Sequence, residues 1–88
     1  MGVDSPLRSA ALFGHLNVVK YLVDQGADIH ALGDDPLLLA SKDGHLDVVK
    51  YLIQQGADVH AEDDYALDVA KRYNHADVVE YLESQMGM

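Results

Sequence analysis

Residues 44–52 of this 88-residue chain read Gly44-His45-Leu46-Asp47-Val48-Val49-Lys50-Tyr51-Leu52, and close copies of this stretch lie 30 residues to either side. The upstream copy, at 14–22, reads Gly-His-Leu-Asn-Val-Val-Lys-Tyr-Leu, and the downstream copy, at 74–82, reads Asn-His-Ala-Asp-Val-Val-Glu-Tyr-Leu. A repeat of about this length is typical of a solenoid, in which each unit buries its apolar face against its neighbours. We therefore expect an all-α helix-turn-helix repeat solenoid and seek its function where the copies differ.

A first helix of about two turns precedes each copy of this stretch. The dipeptides Ser5-Pro6 and Asp35-Pro36 resemble an N-cap residue followed by proline at the first helical position. In the third unit Asp64 is available as the cap. The sequence thus predicts first helices at 6–13, 36–43 and 66–73, within one domain of three repeats spanning 5–34, 35–64 and 65–88.

A tight turn and a second helix follow in each unit. The turn residue is Gly14, Gly44 or Asn74, the residue types that most readily adopt the left-handed conformation at a helix end. Apolar residues three and four positions apart then predict an amphipathic helix, which Gly26 and Gly56 end in the first two units.

Equivalent apolar positions of the three units are expected to form one continuous core. The predicted members are Leu7, Leu37 and Leu67, Ala10, Ala40 and Ala70, the Val-Val pairs, and the Tyr-Leu pairs that contain Tyr21, Tyr51 and Tyr81. The last unit replaces several of the repeated residues by polar ones that suit a terminal cap: Asp68, Lys71, Glu80 and Glu83.

Composition narrows the classes of partner. The chain has 15 acidic and 6 basic side chains and no cysteine, so we expect no nucleic-acid binding, no thiolate metal site and a preference for a protein partner with a basic surface. It contains neither an apolar run of about 20 residues nor a signal-peptide pattern, so we expect no membrane association and an intracellular, cytoplasmic location.

The repeated motifs resemble the ankyrin repeat family along nearly the whole chain. Ser5-Pro6-Leu7 is similar to the family's Thr-Pro-Leu-His opening, and 44–52 together with Gly56-Ala57-Asp58-Val59 is similar to its second helix and turn. The resemblance implies a stack of helix pairs that binds a protein partner without catalysis.

Two departures from the family pattern affect the connections. The family's usual period is about 33 residues, whereas the period here is 30 residues. The family's projecting β-hairpin fingers should therefore be truncated here to short turns. Arg8, Leu38 and Asp68 occupy the place of the opening histidine that usually braces the turn. Shortened units of this kind are similar to ankyrin repeats of giant viruses.

Histidines and acidic clusters are the candidates for chemistry. His15, His45 and His75 should lie one repeat apart, too far for a shared metal ion, and no nucleophile is placed beside them. We expect turn histidines that hydrogen-bond to nearby backbone. Residues 34–35 and 62–64 lack the pattern of a calcium loop and are expected to form a solvated edge. The sequence therefore predicts no enzyme, no metal site and no cofactor.

The resemblance implies a binding surface on the concave helix face and the return turns. The positions concerned vary between repeats: Leu12, Phe13, Lys42, Asp43, Arg72 and Tyr73 before the tight turns, and Leu32, Gly33, Glu62 and Asp63 on the return turns. The adjacent apolar pair Leu12-Phe13 is a candidate hot spot for a partner, and it could equally cover the bare end of the core or meet a second copy. The leading hypothesis is a protein-interaction module, a monomer or weak homodimer. The alternative is a self-associating scaffold joined through its first repeat.

Overall fold

The computed structural model describes residues 6–87, and in that range the chain forms six helices and no strand. In chain order they are α1 Pro6–Leu12, α2 Leu16–Asp24, α3 Ala31–Lys42, α4 Leu46–Gln54, α5 Ala61–Arg72 and α6 Ala76–Met86. The all-α repeat architecture predicted from the 30-residue period is confirmed.

The helices pack in two rows. One row contains α1, α3 and α5, the other contains α2, α4 and α6, and the two helices of each repeat pack against each other across the rows. Leu7, Leu37 and Leu67 are buried between the rows, as predicted. Ala10, Ala40 and Ala70 are also buried, and their small side chains let neighbouring helices approach closely.

The tight turn between the two helices of a repeat is left-handed, as predicted. Its φ angle is 74° at Gly14, 75° at Gly44 and 64° at Asn74. Glycine has no Cβ to clash in this conformation, and asparagine tolerates it better than most residues. The turn brings the residues just before it close to the start of the second helix.

The return turns between repeats are also left-handed, over three residues each, and they lie within the bounds of α3 and α5, where these residues have non-helical backbone angles. Leu32, Gly33 and Asp34 have φ values of 56°, 69° and 62°. Residues 62–64 repeat this geometry with φ values of 55°, 58° and 64°. A single left-handed turn thus stands where a longer repeat would have room for a projecting hairpin.

The predicted N-caps are wrong where the structure describes them. Asp64 lies inside the left-handed turn, and its carboxylate accepts a hydrogen bond from His60 Nδ1 at 2.6 Å instead of capping α5. The carboxylate of Asp35 accepts a hydrogen bond from the guanidinium of Arg8. Both carboxylates thus have a side-chain partner, Arg8 or His60, in place of the backbone N–H groups of the helix that follows. Ser5 lies outside the described residues.

The prediction that the repeated tyrosines belong to the core is wrong for Tyr21. Tyr21 is 62% exposed, whereas Tyr51 and Tyr81 are partly buried and pack against the core. Val18 is 47% exposed, although the equivalent Val48 is fully buried. The reason is positional, because these residues face the preceding repeat, and within residues 6–87 no repeat precedes α1.

Candidate functional site

An open groove crosses the three tight turns, and its volume is about 430 Å³. It is lined by Leu12, Phe13, Lys42, Asp43, His45, Tyr73 and His75. Five of the ten positions predicted to face a partner therefore come together in this groove: Leu12, Phe13, Lys42, Asp43 and Tyr73.

The groove is assembled from the same short segment of each repeat. Its residues lie at the C-terminal ends of α1, α3 and α5 and at the turns that follow. His45 Nε2 donates a hydrogen bond to the carbonyl oxygen of Leu12 at 2.9 Å. His75 Nε2 donates to the carbonyl oxygen of Lys42 at 2.8 Å. Each histidine thus ties its repeat to the one before it and fixes the spacing of the groove segments.

The turn glycines provide room for these histidine rings. A Cβ atom added to Gly14 would lie 2.5 Å from His45 Nδ1, and one added to Gly44 would lie 2.4 Å from His75 Nδ1. Carbon and nitrogen atoms that are not bonded do not approach so closely without displacement. Glycine is therefore needed at these two turns both for the left-handed backbone and for contact with the next imidazole.

Aromatic and charged side chains alternate along the groove. Phe13 is 64% exposed at one end and Tyr73 is 51% exposed at the other. Lys42 Nζ lies 5.6 Å from the centre of the Tyr73 ring, within the range of a cation–π contact. Since Asp43 balances the charge of Lys42, the groove offers two apolar anchor points without a strong charge of its own.

The remaining predicted residues lie apart from this groove. Arg72 lines a neighbouring pocket of about 230 Å³, which shares Lys42 and Tyr73 with the groove. Its guanidinium binds the Asp68 carboxylate at 2.8 Å. Leu32, Gly33, Glu62 and Asp63 lie on the return turns, where Leu32 is 66% exposed. The resemblance implied one binding surface that includes these turns, but none of their residues lines the groove.

Sequence reasoning missed part of the groove and one buried acid. It expected turn histidines bonded to nearby backbone, but the accepting carbonyls belong to the preceding repeat, and His45 and His75 line the groove. Asp34 is only 4% exposed and was assigned to a solvated edge. Its carboxylate accepts from His30 Nδ1 at 2.5 Å and from the backbone N–H of Asp58 at 3.0 Å. The repeated His-x-x-x-Asp spacing at 30–34 and 60–64 was the available signal.

Two other kinds of feature, a metal-binding cluster and a membrane-spanning helix, are absent from the described residues. Among residues 6–87, no three His, Cys, Asp or Glu side chains lie close enough together to hold a metal ion. In the same part of the chain no helix has the length and apolar character to cross a membrane.

Comparison with known families matches almost all of the described chain. A family model described as ankyrin repeats, in three copies, matches residues 7–87. No curated protein matches the sequence at a significant level. The matched region includes every residue that lines the groove.

Proposed function

Since this chain belongs to the ankyrin repeat family, we propose that it binds a protein partner through the groove across its three tight turns. Ankyrin repeats are generally protein-interaction modules and generally not enzymes.

One observation carries the proposal: side chains that differ between repeats converge on a groove built from identical framework. The histidines that tie the repeats together are the same in each unit, whereas the lining positions carry Leu12 and Phe13, Lys42 and Asp43, or Tyr73. Variation on a constant scaffold is typical of a recognition surface, because loop and turn residues can change without disturbing the core.

The partner is a segment with an apolar or aromatic anchor flanked by basic residues. Phe13 and Tyr73 supply exposed aromatic surface, which is the usual source of binding energy at hot spots. The net charge of −9, with acidic side chains concentrated at 62–64, attracts basic segments over a longer range.

A displayed peptide library selected on the immobilised chain tests the proposal. We expect the selected peptides to combine an aromatic or aliphatic anchor with Lys or Arg. The double substitution Phe13→Ala and Tyr73→Ala should weaken their binding at least about tenfold, equivalent to about 1.4 kcal/mol. Helical circular dichroism should be unchanged, because both side chains are largely exposed.

Leu32→Ala is the matched control. Leu32 is 66% exposed, about as much as Phe13 at 64%, but it lies on a return turn outside the groove. Its substitution should leave binding unchanged. Binding that survives the double substitution, or that Leu32→Ala weakens equally, would place the recognition surface elsewhere.

A further inference from the structure

The face of α2 that points away from the other repeats is exposed and apolar. Val18 and Tyr21 are 47% and 62% exposed there. The equivalent valines of the later repeats, Val48 and Val78, are fully buried. Identical residues thus have different environments only because a preceding repeat covers the later ones.

The two interfaces between described repeats use the same set of contacts. Lys20 Nζ lies 5.8 Å from the centre of the Tyr51 ring, and Lys50 Nζ lies 5.5 Å from that of Tyr81. The histidine that follows the tight turn, His45 or His75, donates to a carbonyl oxygen of the preceding repeat in both cases. Each repeat therefore offers its successor a lysine, a carbonyl oxygen and a glycine surface.

The first repeat contains the tyrosine and the histidine that make these contacts in the later repeats. Tyr21 and His15 occupy the places of the tyrosines and histidines that receive those contacts. His15 is exposed, and among residues 6–87 no carbonyl oxygen accepts from its ring. Its ring contact is with Phe13, at 6.4 Å between centroids.

We propose that the surface formed by His15, Val18 and Tyr21, here called the leading face, binds one further ankyrin-type unit joined ahead of α1. That unit stacks in the register of the two described interfaces. It presents a lysine to Tyr21, a carbonyl oxygen to His15 and a turn glycine beneath the imidazole. The leading face shares no residue with the lining of the groove, so this proposal does not depend on the groove's partner.

A second copy of this chain does not have the required chemistry at its other end. There, Asn74 stands in place of the turn glycine, and Glu80 stands in place of the lysine. The Cβ of Asn74 would lie where a Cβ at Gly14 or Gly44 meets the incoming imidazole at 2.5 Å or less. Head-to-tail stacking of copies is therefore disfavoured.

Two more substitutions make this trailing end polar. Lys71 replaces the fully buried Ala11 and Ser41 of the earlier repeats, and Glu83 replaces an apolar residue. Lys71 Nζ and Glu83 Oε2 lie 3.8 Å apart across this surface. The first repeat thus has an apolar face with the residues that contact a preceding repeat, whereas the corresponding surface of the third repeat is polar.

A fusion of a duplicate of residues 35–64 directly ahead of residue 5 tests the inference. We expect a single cooperative urea transition, and an unfolding equilibrium constant at least about tenfold smaller than that of the original chain, because the leading face becomes buried. Tyr21→Ala should be more destabilising in the fusion than in the original chain.

The matched control is the same fusion with trailing-end residues in the added unit: Ser41→Lys, Gly44→Asn, Lys50→Glu and Ile53→Glu. This unit should give no such gain. Equal stabilisation by both fusions, or separate unfolding of the unmodified added unit, would overturn the proposal. Sedimentation of the original chain should show a monomer, and self-association that Tyr21→Ala abolishes would assign the leading face to a second copy instead.

Discussion

Asp34 and Asp64 occupy the same position in successive return turns but have different partners. Asp34 is 4% exposed, and its carboxylate accepts from both His30 Nδ1 and the backbone N–H of Asp58. The Asp64 side chain is 46% exposed and accepts from His60 Nδ1. Among residues 6–87 no backbone N–H of the third repeat donates to it, and the position equivalent to Asp58 in that repeat is residue 88, outside the described range.

Alanine substitution at the two positions should therefore have unequal costs. Both residues have left-handed φ values, 62° and 64°, so the strain introduced by alanine is similar and largely cancels in the comparison. Asp34→Ala additionally removes a hydrogen bond between a charged acceptor and a backbone donor, a contact worth about 1.5–3 kcal/mol. The exposed His60–Asp64 hydrogen bond lost in Asp64→Ala is worth about 0–1 kcal/mol. We expect Asp34→Ala to lower the free energy of unfolding by about 1–2 kcal/mol more than Asp64→Ala.

Urea unfolding followed by far-ultraviolet circular dichroism measures both costs. The expected difference corresponds to a melting temperature lower by about 4–8 °C for each kcal/mol in a chain of this size. Asp34→Asn, which keeps one carbonyl acceptor, should fall between the wild type and Asp34→Ala. Equal losses for the two alanine variants would refute the reasoning, because they would mean that the Asp58 N–H bond does not connect the repeats energetically.

Three further substitutions test the packing of the array. Gly44→Ala should lower the free energy of unfolding by about 2–3 kcal/mol, because it combines left-handed strain with displacement of His75. Gly56→Ala is the control: its φ is 103° and no atom lies within 4 Å of the added Cβ, so strain alone should cost about 1–2 kcal/mol. Comparable losses in urea unfolding would contradict the close glycine–imidazole contact. Ser41→Ala should stabilise the fold by about 0.5–1 kcal/mol, because Ser41 Oγ is buried without a hydrogen-bond partner among residues 6–87. The equivalent residue of the first repeat, Ala11, is buried in the same position. A lower melting temperature in calorimetry would show instead that this hydroxyl has a favourable contact.

Local residue chemistry was enough to predict the helices and tight turns. The left-handed helix ends at Gly14 and Gly44 follow from the residue type alone. The valines and leucines after them have the spacing of an amphipathic helix. The N-cap of α5 could not be predicted in the same way. Asp64 satisfies the composition rule for a cap, but the left-handed turn directs its carboxylate to His60.

Burial at the ends of the array depends on neighbours and not on residue type. Tyr21 and Tyr51 have the same local sequence, and only the presence of a preceding repeat distinguishes their exposure. For the groove, the register of the repeats was sufficient to bring Phe13, Lys42 and Tyr73 together. The same register did not reveal that Leu32 lies outside the groove, because the path of the return turn depends on its three left-handed residues.

The histidine links between repeats end on backbone oxygens, and this has a consequence for how the protein can change. His45 and His75 bind the carbonyls of Leu12 and Lys42, residues whose side chains line the groove. Every amino acid supplies that carbonyl, so mutation at these positions can alter what the groove recognises without breaking the link. In Leu12 and Lys42, the side chain is thus available for recognition while the backbone carbonyl serves folding. A library randomised at positions 12 and 42 should retain a high proportion of folded members.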